Sequence, residues 1–141
     1  MNSDKDIVIT SAFRTPIGSF QGSLKDHKAT ELGTAVVKKC MEHSNLNGSE
    51  VDTVILGQVL QTGCGQNPAR QAAINSGIDK DKTATTINQV CGSGLAAVTL
   101  GFNSLKLNDT NIVIAGGQES MTNSPHRHTW IRAPTPRSMA N

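Results

Sequence analysis

Cys91 stands between Asn88-Gln89-Val90 and Gly92-Ser93-Gly94-Leu95, a thiol at the junction of two unlike runs. Upstream, Thr83-Ala84-Thr85-Thr86-Ile87 is uncharged and rich in β-branched residues, which reads as a strand. Downstream, Leu95, Val98, Phe102 and Leu105 recur at helical spacing. The sulfur is therefore expected at the first turn of a helix, where unpaired backbone N–H groups favour an anion. A thiolate is such an anion, and it is the nucleophilic form of cysteine. Gly92 and Gly94 leave the backbone open to a substrate. A buried structural cysteine after a strand fits the same residues, because free cysteine also packs as a small hydrophobe.

The remaining chemistry-bearing residues form no comparable group. Cys40, Cys64 and Cys91 are odd in number and widely spaced, so neither a metal site nor an oxidising compartment is indicated. The four histidines make no metal motif, and His126 and His128 fall in a Pro-containing tail that reads as a solvated loop. Cys64 sits in a Gly-flanked loop, where exposure and oxidation are expected of it. Gln66, Asn67 and Arg70 suit a subunit contact or pocket lining, and capping explains them equally well. Arg14 is a possible partner for Glu119, itself unusual after a buried strand and read as structural.

Net charge is +2, from 13 basic and 11 acidic residues. Arg127, Arg132 and Arg137 lie in the tail, where no acid follows Glu119. Without them the balance is 10 − 11 = −1, which is no nucleic-acid-binding profile. No apolar run approaches the ~20 residues of a membrane span. The first residues, Met1-Asn2-Ser3-Asp4-Lys5-Asp6, are polar and mixed in charge, unlike a signal or transit peptide, so the cytoplasm is expected.

The elements that must hold Cys91 follow from periodicity. Ile7 to Thr10 reads as a short buried strand and Thr30 to Ser44 as a helix with Leu32, Val36 and Cys40 facing the core. Val51 to Leu60 contains a strand, Pro68 to Ser76 a short helix, and Thr83 to Val90 a strand. Gly94 to Lys106 is a helix, and Asn111 to Ala115 a strand closed by Gly116-Gly117. Strands alternating with helices imply an α/β fold with a mainly parallel sheet. With aromatics at 3%, Val, Ile, Leu and Ala must fill its core. The helix after Cys91 carries no charge from Gly92 to Leu105. A surface helix of that length normally has a charged face, so this one is expected between the sheet and a further layer.

Four stretches, in order, resemble the thiolase family. They are Ser11 to Phe20, Gly65-Gln66-Asn67-Pro68-Ala69-Arg70-Gln71, the residues around Cys91, and Gly116-Gly117-Gln118-Glu119-Ser120-Met121. The resemblance implies a thiolase-like N-terminal half, with helices on both faces of the sheet, over residues 1–121. Residues 122–141 would be the start of a loop-domain region or a divergent tail. It implies acyl transfer between coenzyme A thioesters, two acetyl-CoA giving acetoacetyl-CoA and CoA or the reverse. Cys91 would be the acyl-carrying nucleophile and its backbone N–H an oxyanion donor, with no metal and no resident cofactor. It also implies a homo-oligomer when complete.

A family member further needs an Asn-Glu motif, a Gly-His-Pro motif, a second Cys-x-Gly motif and a loop domain for coenzyme A. None of these occurs in the 141 residues, so the chain reads as an N-terminal part without activity alone. Three other readings stay open: a non-catalytic remnant or interaction module, a longer-chain 3-ketoacyl-CoA thiolase, and a ketoacyl synthase relative. Gly92-Ser93-Gly94-Leu95 favours thiolase over the last.

Overall fold

The structure is a computed structural model that describes residues 6–125. His126, His128 and the rest of the tail from residue 126 lie outside the described residues. The elements run α1 (Ala29–His43), β1 (Thr53–Gly57), α2 (Pro68–Asn75), β2 (Thr83–Ile87), α3 (Ser93–Lys106) and β3 (Val113–Gly117). A 3₁₀ turn at Met121–Asn123 follows.

The three strands pair in the order β2-β1-β3, all parallel. From β1 the chain crosses through α2 to β2, then returns over β1 through α3 to β3. Two right-handed crossovers in opposite directions put α2 and α3 on opposite faces. The expected α/β fold, with a parallel sheet covered on both faces, is what forms.

Side-chain alternation along β1 assigns the faces. Val54 and Leu56 join Ala69, Ala72 and Ala73 of α2 and Val37 and Met41 of α1 in one buried cluster. On the other face, α3 lays Ser93, Ala97 and Gly101 on the sheet. Gly101 comes so close that an added Cβ would lie 3.0 Å from Val113 Cγ1. All of β1 is buried, as a central strand should be.

Local chemistry sets the helix starts. Pro68 occupies the first turn of α2, and Asn67 Oδ1 accepts the Arg70 N–H at 3.2 Å. Glu31 reaches back to the Lys28 N–H at 3.0 Å ahead of α1.

Three sequence expectations need correction. Residues 7–10 form no strand, and Val8 and Ile9 are 70% and 80% exposed. A strand needs a partner edge, and among the described residues the segment pairs with neither edge strand, β2 or β3; it instead touches the end of α1. There Thr10 Oγ1 and Ser44 Oγ are 2.9 Å apart, and Phe13 meets His43 edge-on. The buried face of α1 is Gly33, Val37 and Met41, one residue round from Leu32, Val36 and Cys40. Gly33 turns inward because Gln118 packs where its Cβ would be, so Cys40 is only half-buried. Finally, the last strand begins two residues late, because Asn111 and the Ile112 N–H bind the Asp52 carboxylate rather than a neighbouring strand.

That carboxylate ties the start of β1 to the start of β3. The Asn111 and Ile112 backbone N–H groups reach Asp52 Oδ2 at 2.7 and 3.1 Å. These bonds hold its carboxyl below the ordinary aspartate value, and Lys82 adds a smaller pull; together they outweigh partial burial. A depressed folded pKa contributes stability at pH values above the ordinary aspartate pKa, lost as pH falls through the lowered value. Asp52→Asn should therefore cost about 1 kcal/mol at neutral pH, a low figure because the site is partly solvated. Urea unfolding at neutral pH and at about pH 3 checks this: the gap between the two proteins should shrink at the acid end.

Candidate active site at the carboxyl edge of the sheet

Cys91 is exposed and stands one residue ahead of Gly92, the N-cap of α3, rather than within the first turn itself. It lies beyond the carboxyl end of β2, on the side of a parallel sheet where ligands characteristically bind. Among the described residues no backbone acceptor takes the Cys91 N–H.

The turn that presents the sulfur is strained. Val90 has φ 52°, in the left-handed region that a β-branched residue rarely enters. Its surroundings hold it there. The Val90 N–H donates to Asn88 Oδ1 at 2.9 Å, and Ser93 Oγ donates to the Val90 carbonyl at 2.6 Å. Ser93 Oγ also accepts the Gln89 N–H at 2.8 Å, and the Gly92 N–H reaches the Gln89 carbonyl at 3.1 Å. Ser93 is only 4% exposed, so its hydroxyl does this work out of reach of water.

Ser93 can sit so low because Gly57 ends β1 beneath it. A Cβ on Gly57 would lie 2.5 Å from Ser93 Cβ. Sequence reasoning missed both residues as parts of the site. The available signal was a glycine closing the Val-Ile-Leu run opposite a small residue at the helix start.

Glu119 is structural in this fold. Its carboxylate accepts the Val59 N–H at 2.8 Å and the Leu60 N–H at 3.3 Å. Arg14 does not pair with it; the Arg14 guanidinium donates to the Thr15 carbonyl. The opening motif lines an apolar hollow of about 290 Å³ with Glu119 and Met121, and Cys91 is not on its walls.

Below the edge, on the α1 face, a buried amide pair continues the sheet. Gln118 Nε2 donates to Gln58 Oε1 at 2.9 Å, and Gln58 Nε2 reaches the Leu60 carbonyl and Cys64 Sγ. Cys64 is thus half-buried and hydrogen-bonded, against the expectation of an open thiol. Among the described residues Gln118 Oε1, buried and facing Gly33, has no hydrogen-bond partner.

Asn67 and Arg70 serve local order rather than Cys91. Asn67 caps α2 and also binds the Ala84 carbonyl and Thr86 hydroxyl. Arg70 binds the Lys80 and Lys82 carbonyls ahead of β2. Gln66 offers its carbonyl to Gln71 Nε2 at 2.9 Å. Among the described residues no cluster could hold a metal ion, and no helix is long and apolar enough to cross a membrane.

The model of the thiolase N-terminal domain matches residues 7–139. The chain belongs to the thiolase family. The match runs past residue 121. Among curated relatives, a protein named "Probable acetyl-CoA acetyltransferase" from Escherichia coli is 53% identical over 122 residues, 86% of this chain and 31% of that one. An acetyl-CoA acetyltransferase from Pseudomonas aeruginosa is 51% identical over the same shares. One from Rhizobium meliloti is 51% identical over 88% of this chain and 32% of its own. The chain thus spans about a third of the length of the relatives it matches.

Within this family member, α3 has an inverted distribution of size. Its sheet face carries Ser93, Ala97 and Gly101, while Leu95, Val98 and Phe102 are 74%, 41% and 47% exposed. The largest apolar side chains therefore point away from the described fold. The sequence had placed a further layer over this uncharged helix, and an outward apolar face is what such a layer would cover.

Proposed function

We propose that Cys91 is the acyl-carrying nucleophile of an acetyl-CoA acetyltransferase, with coenzyme A thioesters as substrates. The observation that carries the reading is the exposed thiol on a strained turn at the head of α3, in a chain of this family. The names of the relatives supply the acetyl group and the coenzyme.

Cys91 as thiolate attacks the thioester carbonyl of acetyl-CoA. A carbon–sulfur bond forms and the carbonyl electrons move to oxygen. The unclaimed Cys91 N–H is suited to that oxyanion. Collapse expels coenzyme A as a thiolate and leaves acetyl-Cys91. A second acetyl-CoA loses an α-proton, and its carbanion attacks the acetyl carbonyl. Acetoacetyl-CoA forms and the Cys91 thiolate is released. A thioester intermediate keeps both directions open, and splitting the transfer in two lowers each barrier.

By the family resemblance, the histidine that activates the sulfur, the cysteine that handles the α-proton and the second oxyanion donor belong to motifs these 141 residues do not contain. The chain alone is therefore expected not to turn over acetoacetyl-CoA. The apolar face of α3 is where the further half would dock, and a homo-oligomer is the expected assembly. No resident metal or cofactor enters the scheme.

The test joins this chain to the remaining two-thirds of the Escherichia coli relative and supplies radiolabelled acetyl-CoA. Peptide mapping should find the label on Cys91. An active, labelled protein with Cys91 unmodified overturns the reading.

A further inference from the structure

A second side chain ties the strained turn to the neighbouring strand end. Asn88 Oδ1 accepts the Val90 N–H at 2.9 Å, while its Nδ2 donates to the Val59 carbonyl at 3.2 Å. Across the same peptide chain, the Val59 N–H is fixed by Glu119 Oε2 at 2.8 Å. The Gln58 N–H binds the Ile87 carbonyl, and the Gln118 N–H binds the Gly57 carbonyl. The segments leaving all three strands are therefore joined in one line, from Glu119 through Val59 and Asn88 to Val90.

Among the described residues no other side-chain hydrogen bond restrains that line on its outer side. Asn88, Gln89 and Val90 are exposed, so apolar packing cannot hold a β-branched residue at positive φ. Ser93 grips Val90 from below, at its carbonyl; Asn88 grips it from the strand side, at its N–H. An asparagine suits this place because one amide both accepts and donates.

We propose that Asn88 is a positioning residue for Cys91, holding the Val90 turn to the β1 edge so that the thiol stays presented at the head of α3. This rests on Cys91 being the nucleophile. Asn88 does not touch the reacting carbon; it acts through Val90. Loss of its side chain frees the Val90 N–H and lets the turn relax toward negative φ, moving the sulfur away from the helix end.

The test uses the 141-residue chain with Asn88→Ala and Asn88→Gln, following alkylation of all three cysteines by iodoacetamide and amide exchange by NMR. In Asn88→Ala the Val90 amide should exchange up to about tenfold faster. Cys91 should be alkylated roughly two- to fivefold more slowly, the size of a helix-end effect on an anion. The half-buried Cys40 should react at the wild-type rate. Asn88→Gln keeps both the acceptor for Val90 and the donor for Val59 and should restore Cys91 to within about twofold of wild type, a rescue that general loosening would not give.

An unchanged Cys91 rate in Asn88→Ala overturns the proposal. So does an Asn88→Gln variant as slow as Asn88→Ala, or faster reaction of Cys40, which marks fold loss instead. Failure of the acyl-carrier reading is separate: it appears as absence of acetyl label on wild-type Cys91, while the alkylation pattern still reports the turn.

Discussion

Cys91→Ser should abolish acetyl transfer in the chain joined to its missing two-thirds, lowering it by about a thousandfold or more. The two side chains differ by one atom, so shape is kept. What changes is the supply of an anionic nucleophile near neutral pH, which a thiol offers and an alcohol does not without a strong base. Among the described residues no hydrogen bond joins Cys91 Sγ to a histidine or carboxylate able to take a serine proton. Because Cys91 is exposed, the unfolding free energy should stay within about 0.5 kcal/mol. Radiolabelled acetyl-CoA and urea unfolding measure the two quantities. Loss of label with stability kept identifies a chemical role. A serine variant that still takes the acetyl group at the native rate removes Cys91 from the mechanism.

Much of this arrangement was legible before any coordinates. Strong local signals placed α2, β2 and α3, because Pro68, the β-branched Thr83–Ile87 run and the charge-free helix each specify one element. The exposed place of Cys91 just ahead of α3 was legible for the same reason: its turn is written in five adjacent residues. Ile7–Thr10 misled because a four-residue apolar run states a preference, whereas a strand needs a partner edge far away in sequence. The face of α1 was misjudged by one position because Leu32, Val36 and Cys40 look apolar. The position that must be small is Gly33, for Gln118 lies against it. Contacts of this kind span more than eighty residues and leave no periodic trace. The same holds for Glu119, Val59 and Asn88, which meet only once the three strand ends are side by side.

The contact that decides where the sulfur stands is the close approach of α3 to β1, and one methyl group tests it. Gly57→Ala should destabilise the fold by about 1–3 kcal/mol, as overpacking does. The added Cβ would lie 2.5 Å from Ser93 Cβ and 2.6 Å from its carbonyl carbon. Backbone cannot swing aside as the end of a flexible side chain can. Either β1 or the first turn of α3 must move, and β1 is held on both sides by parallel neighbours. The helix start should therefore lift, stretching the Ser93 bonds to Gln89 and Val90 that keep Val90 left-handed. Gly94→Ala is the matched control. It lies one residue further along the same helix, with nothing within 4 Å of its would-be Cβ. There alanine should stabilise by roughly 0.5–1 kcal/mol, through the lower chain entropy and better helix propensity it brings. The same chemical change, made once beneath Ser93 and once beside it, should thus carry opposite signs in urea unfolding. Equal effects at both positions would mean that α3 is not seated on Gly57, and that the floor under Cys91 is built some other way.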